Sequence, residues 1–191
     1  MPCSVFKQLH VHKKGKQRGF TLLELTSSIA ILGVLSSTAL SKYSDLGRET
    51  HIAVLNGVKA ALSTATTLTH LQAAMQNKIS HRPQQISFGE SQVLVQHGFP
   101  AANWTDAIYP IMDIHAAKTN SSATTLCTDF DFCAQGNMAF NDPLLSGLNI
   151  TSGELVAIWM QGYTLNDQCF AYFHKPSNGS FPRSAIVTTG C

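Results

Sequence analysis

The segment KKGKQRGFTLLELTSSIAILGVLSSTAL, residues 13–40, decides the fold, because it joins a basic cluster to a membrane-length apolar run. From Phe20 to Leu40 the run has about 21 residues, and as a helix of about 30 Å it would span the core of a bilayer. One carboxylate, Glu24, interrupts the run near its start. Because an acid at the centre of a membrane helix costs about 2.5–3.5 kcal/mol, this carboxylate calls for an explanation.

The charges are divided unevenly along the chain. Residues 1–19 contain five of the 13 basic residues and no acid, which leaves 8 basic and 11 acidic residues in the remainder, a formal charge of −3. A basic flank predicts a cytoplasmic amino end, with the rest of the chain exported. A cleaved secretory signal would have a shorter apolar core, so we expect a retained anchor. The basic tail lacks interleaved aromatic residues, which argues against nucleic-acid binding.

The cysteines also indicate export. Cys3 lies in the basic tail, and the other four come late in the chain: Cys127, Cys133, Cys169 and Cys191. Their spacing suggests two disulfides, Cys127–Cys133 and Cys169–Cys191. The alternative is a zinc site that includes His115 or His174, although the sequence has no C-x-x-C pair.

After Leu40 the pattern becomes amphipathic without an intervening proline. Apolar residues recur at steps of three, four or seven, which predicts one face of an α-helix: Leu55, Val58, Leu62, Ala65, Leu68 and Met75. We therefore expect one helix from Phe20 to about Asn77. Its first half suits lipid, and its second half has one face to bury.

The remainder predicts a small antiparallel sheet. Residues 80–109 form a connector with one short apolar run at 92–96, and the polar residues 115–150 are expected to be loops. Strands are predicted at 153–162, 169–174 and 184–189, joined by short turns. The predicted fold class is α+β, with the long helix packed on this sheet and a disulfide-bounded C-terminal region.

The order of a basic cluster, Gly19, Phe20-Thr-Leu-Leu-Glu24 and an apolar helix closely resembles the class III signal of type IV prepilins and pseudopilins. The resemblance implies that prepilin peptidase cuts between Gly19 and Phe20 and methylates the new amine on Phe20. It also implies that Glu24 pairs with the amine of a neighbouring subunit in the filament. An unpaired carboxylate in a packed core is costly, so the acid would penalise a wrong axial register.

Two further stretches resemble the pilins of the mannose-sensitive haemagglutinin (MSHA) type: QVLVQHGFPA at 92–101 and the helix continuation from Arg48 to Ala60. The last hairpin, which Cys169 and Cys191 bracket, resembles the D-region of type IV pilins. The chain departs from the family in its leader of 19 residues, which is longer than usual, and in Ser41, where many relatives have proline.

The resemblance implies a type IV pilin fold with four parts: a leader at 1–19 that is removed, a transmembrane and fibre-core segment at 20–41, an amphipathic helix at 42–78, and a globular head at 79–191. The implied partners are prepilin peptidase, other copies of the chain and related pilins in a helical filament, the inner-membrane assembly platform, and inner-membrane lipid before assembly. We expect no cofactor and no nucleic acid. The protein would cross the inner membrane once and then form an extracellular adhesive pilus.

Several alternatives share these features. A minor pilin that primes or tips the fibre would carry the same motifs, and so would a type II secretion pseudopilin, which the paired cysteines disfavour. A signal-anchored periplasmic enzyme would need a catalytic constellation, and the sequence has no nucleophile elbow, P-loop or H-E-x-x-H. We therefore expect no enzyme, no catalytic residue and no metal site. The histidines are scattered, and Asp129 with Asp131 supplies too few oxygens for calcium.

Overall fold

A computed structural model describes residues 20–191, with side chains apart from those of residues 40–45 and 146. The helix α1 spans Leu22–Met75 and has 54 residues. Its ends lie within two residues of the expected ones. The described residues divide into two units, one that ends at Asp45 and one at Leu46–Cys191, which are described separately below.

The second unit contains two antiparallel sheets. The first has three strands in the order β1-β2-β3: Gln84–Phe88, Ser91–Gln96 and Phe99–Pro100. The second has four strands in the order β4-β5-β6-β7: Phe132–Ala139, Glu154–Met160, Phe170–Lys175 and Arg183–Val187. Short helical segments connect them: a π-helix at Trp104–Ile108 and 3₁₀ helices at Tyr109–Ile111, Pro143–Leu148 and Leu165–Asp167.

The prediction that residues 115–150 are only loops is wrong, because β4 lies in this range and six of its eight residues pair with β5. The strand contains Gly136 and Asn137, which have low strand propensity, and the pairing register is irregular between Gln135 and Met138. Tertiary pairing therefore overrides the local sequence here. The three strands predicted near the carboxyl end correspond to β5, β6 and β7, and the short run at 92–96 corresponds to β2.

The second half of α1 packs on the four-stranded sheet, as predicted. One core cluster joins helix residues to residues of the sheet: Leu55, Val58, Leu62 and Ala65 lie with Ala134, Val156, Ile158, Ala171 and Phe173. Strand residues of opposite parity, including Leu155, Trp159 and Phe170, belong to a second cluster. The sheet thus contributes to two clusters, one of which includes the helix.

The predicted apolar stripe fails towards the end of α1. Leu68 is 50% exposed and Met75 is 75% exposed, whereas Thr66, Thr69 and Ala73 are buried. Ala73 packs in a third cluster with residues of β1 and β2, so the buried face of the helix turns towards the smaller sheet. The hydroxyls of Thr66 and Thr69 donate to carbonyl oxygens one turn earlier, which makes their burial inexpensive.

Two disulfides lie in the C-terminal region. Cys127 bonds to Cys133 with a Cα–Cα distance of 5.8 Å, and Cys169 bonds to Cys191 with a Cα–Cα distance of 4.8 Å. The apolar N-terminal helix, the antiparallel sheets and these disulfides are consistent with a type IV pilin fold, so the predicted fold class is confirmed.

Candidate functional site

The first turn of α1 forms a reciprocal capping box. The carboxylate oxygen Oε2 of Glu24 accepts hydrogen bonds from the backbone N–H of Thr21 at 3.5 Å and from its hydroxyl at 3.4 Å. In return, the backbone N–H of Glu24 donates to the hydroxyl of Thr21 at 3.3 Å. This pattern satisfies donors that a helix start otherwise leaves unpaired. It also keeps the carboxylate at the positive end of the helix dipole, where a negative charge is favourable.

The box occupies one oxygen of the Glu24 carboxylate and leaves the site open. Phe20, the residue before the box, is 76% exposed, and the contacts between Thr21 and Glu24 are exposed as well. Among the described residues, Oε1 of Glu24 has no hydrogen-bond partner. The carboxylate can therefore accept a further donor or cation without breaking the box.

The helix that follows suits an apolar environment. By length and composition, Leu22–Ala39 could cross a membrane, and none of these residues is buried within the protein. The hydroxyls of Thr26, Ser27, Ser28 and Ser37 donate to carbonyl oxygens three or four residues earlier. Because these polar groups are satisfied within the helix, they need no partner from water.

The comparison with protein families identifies this amino-terminal region. Residues 14–40 match the model described as the prokaryotic N-terminal methylation motif. The chain carries a prepilin signal. The match includes Gly19, Phe20 and Glu24, and it supports a type IV pilin or a pseudopilin-like prepilin. Comparison with curated proteins and with solved structures finds no match.

The prepilin signal narrows the function. Proteins with this motif are structural subunits, so it favours a role in assembly over catalysis. It implies cleavage by prepilin peptidase and assembly with other pilins. Together with the apolar helix, it indicates anchoring in the inner membrane followed by incorporation into a filament.

The predicted site residues fall into separate parts of the chain. Gly19 lies outside the described residues, whereas Phe20 and Glu24 lie at the start of α1. The disulfide cysteines belong to the unit Leu46–Cys191. Sequence reasoning missed Thr21, although the spacing T-x-x-E is the known signature of a capping box and could have revealed it.

The histidines make packing and hydrogen-bond contacts. Nδ1 of His51 lies 2.8 Å from the hydroxyl of Tyr163, and the ring of His70 stacks on Phe99 with centroids 4.2 Å apart. His115 lies 3.3 Å from Asp131, one of the two acids considered for calcium. Among the residues whose side chains the structure describes, there is no group of three or more His, Cys, Asp or Glu residues that could hold a metal ion. The four late cysteines form disulfides, so no free thiolate of theirs is present to bind zinc.

Proposed function

We propose that the protein is the structural subunit of a type IV pilus of the MSHA-like kind. It is cut between Gly19 and Phe20 and methylated on the new amine. Its helix then holds it in the inner membrane, with the amino end on the cytoplasmic side, until it polymerises into an adhesive surface fibre. The match of residues 14–40 to the methylation motif carries this proposal.

In this proposal, Glu24 acts at the contact between subunits. Cleavage before Phe20 leaves a positively charged amine, and the free Oε1 of a neighbour's Glu24 is a suitable acceptor for it. A carboxylate paired in this way is tolerated in the packed core of a fibre, whereas an unpaired one is strongly unfavourable. The pair would therefore fix the axial register of neighbouring subunits. The capping box supports this role because it holds the carboxylate beside the end that is cut.

The MSHA-like part of the proposal rests on the sequence QVLVQHGFPA at 92–101. In the structure this stretch forms β2, a turn and β3. His97 and Gly98 have φ angles of 56° and 76°, in the left-handed region that favours glycine. A Cβ on Gly98 would lie 2.9 Å from the side chain of Ile79, so this glycine is required for packing as well as for the turn.

Processing is tested with two glycine variants of the leader. Co-expression with prepilin peptidase, followed by intact mass spectrometry, should give a wild-type chain that begins at N-methylated Phe20. Gly19→Val should retain the leader, because the side chain blocks the cleavage position. Gly15→Val, the matched control four residues earlier, should be processed normally. An uncut wild-type chain, or equal processing of both variants, would contradict the proposal.

A further inference from the structure

Lys175, the last residue of β6, is buried against the smaller sheet. The residue is only 6% exposed, and among the described residues it is the one charged residue that is buried. Its ammonium donates to the amide oxygen Oε1 of Gln96, on β2, at 2.8 Å. Because an ammonium carries three donors, this bond leaves two of them available.

No acid neutralises this ammonium at close range. Among the side chains that the structure describes, the only contact at ion-pair distance is that between His115 and Asp131, so Lys175 has no such partner there. Glu154 lies opposite Lys175 in the β5–β6 ladder, but its side chain is exposed and too distant for an ion pair. Burial lowers the pKa of Lys175, and the attraction of Glu154 opposes this only in part. Buried charges in proteins normally have an ion-pair partner. Lys175 has none at close range among the described side chains, and only the more distant Glu154 attracts it.

Lys175 lines a cavity of about 500 Å³. The other walls carry side chains that suit a polar guest: Gln96, Asn137, Ser152, Glu154 and Ser177, with the ring of Phe140 as an apolar surface. Phe140 is 40% exposed, which leaves part of its ring available for contact.

A glycine allows two backbone segments to come into close contact in one wall of this cavity. Gly153 has a φ of 100°, and a Cβ there would collide with the carbonyl oxygen of Lys175 and lie 2.9 Å from Nε2 of His174. Any larger residue would push the segment around Ser152 away from the end of β6. The cavity is therefore shaped by a specific backbone approach rather than by loosely packed surface side chains.

We propose that this cavity binds the carboxylate of a small hydroxyl-rich molecule, such as a uronic acid, with Lys175 as the counter-ion. The two free donors of the ammonium match a carboxylate, and a charge-assisted hydrogen bond is stronger than a neutral one. The amide and hydroxyl side chains in the wall can bond the hydroxyls of the guest. The exposed ring of Phe140 can cover the apolar face of a sugar ring. This site lies in the unit Leu46–Cys191 and does not depend on the proposed processing or polymerisation.

A substitution of Glu154 tests the proposal in the opposite direction, because it should strengthen binding. Its carboxylate lines the same cavity and repels an anionic guest. Glu154→Gln keeps the shape of the side chain and removes this repulsion, so it should strengthen the binding of a carboxylate. If the cavity were built for a cation or an amine, the same substitution would weaken binding.

The test uses the full chain in detergent, titrated with glucuronate and with uncharged glucose in a calorimeter. We expect binding of glucuronate and not of glucose. Lys175→Met should weaken the binding of glucuronate by about tenfold or more, because it removes charge-assisted bonds. Glu154→Gln should strengthen it, and Lys118→Met, which changes an exposed lysine outside the cavity, should leave it unchanged.

A labelling experiment covers the case in which Lys175→Met fails to fold. In wild-type protein that carries ¹³Cε-lysine, glucuronate should shift the resonance of Lys175 and leave that of Lys118 in place. Absence of glucuronate binding, equal binding of glucose, or weaker binding by Glu154→Gln would each overturn the proposal. An unchanged Lys175 resonance at saturating glucuronate would overturn it as well.

Discussion

Thr21 and Glu24 hydrogen-bond to each other in both directions at the start of the long helix, so the carboxylate in the apolar segment is already held by its own chain. This relationship explains how an isolated subunit tolerates the acid. The carboxylate sits in the first helical turn, where the dipole and two Thr21 donors stabilise it. One of its oxygens remains free for a partner, which is the geometry that the proposed contact between subunits needs.

Replacing Glu24 should separate processing from assembly. Glu24→Val is expected to leave cleavage after Gly19 intact and to impair N-methylation or filament formation, because the proposed partner of the amine is gone. Glu24→Gln is the narrower change, because it keeps an oxygen acceptor for Thr21 and removes only the charge. If the charge sets the register, both variants should lower the yield of sheared fibres. Normal yield and normal filament order in Glu24→Val would disprove the register argument.

Replacing Thr21 should loosen the first turn. Thr21→Ala removes the hydroxyl that accepts from the N–H of Glu24, and loss of such a cap typically costs about 0.5–2 kcal/mol. Amide hydrogen exchange of residues 22–25 should therefore be faster in the processed protein, whereas Thr21→Ser should restore slow exchange. Equal exchange rates in Thr21→Ala and wild type would show that the box contributes nothing to this helix end.

The burial of α1 predicts different effects for two leucines of the same helix. Leu62 is fully buried against the sheet, whereas Leu68 is 50% exposed. Leu62→Ala should lower the free energy of unfolding by about 2–5 kcal/mol, and Leu68→Ala by about 0.5 kcal/mol or less. Urea unfolding followed by tryptophan fluorescence measures both. Equal losses would mean that the helix packs through a different face.

Lys175 predicts a pH dependence in the alkaline range. Burial holds its pKa below the ordinary 10.5, so between the two values the folded chain binds fewer protons than the unfolded chain. Stability attributable to this residue should therefore rise as the pH increases towards 10.5. We expect the wild type to gain stability relative to Lys175→Met over this window.

The comparison of wild type with Lys175→Met isolates the contribution of Lys175 to the pH dependence of the free energy of unfolding. Burial raises the pKa of Tyr172, which lowers stability above pH 10, but this effect is common to both proteins and cancels in the difference. Urea unfolding at a series of pH values provides the measurement. If the difference in the free energy of unfolding between wild type and Lys175→Met stays constant or falls as the pH rises, burial does not lower the pKa of Lys175 in the folded protein.

Much of this fold follows from local sequence. The apolar run, the helical stripe from Leu55 to Ala65 and the β-rich runs near the carboxyl end each have a periodicity that fixes one element. The strand β4 has no such periodicity, because Gly136 and Asn137 interrupt its pattern. It is a strand because it pairs with β5. The exposure of Leu68 could not be predicted from the sequence either, because it depends on where the smaller sheet meets the helix.

Some of the candidate site residues can likewise be predicted from the sequence, and others cannot. Gly19, Phe20 and Glu24 form a contiguous motif that sequence can reveal, and Thr21 could have been recognised from its spacing to Glu24. Lys175 could not, because its environment comes from residues distant in the chain. Its hydrogen-bond partner Gln96 is 79 positions away, and the burial of its charge is a property of the packed sheets alone.

Cleavage, methylation and polymerisation of this chain can be tested together by the intact, non-reduced mass of the protein sheared from cells, compared with that in the membrane fraction. We expect a dominant sheared species that begins at N-methylated Phe20 and has its four late cysteines oxidised. A processed species confined to membranes would instead indicate a minor pilin or a pseudopilin. A chain that retains residues 1–19 would contradict the proposed cleavage and assembly.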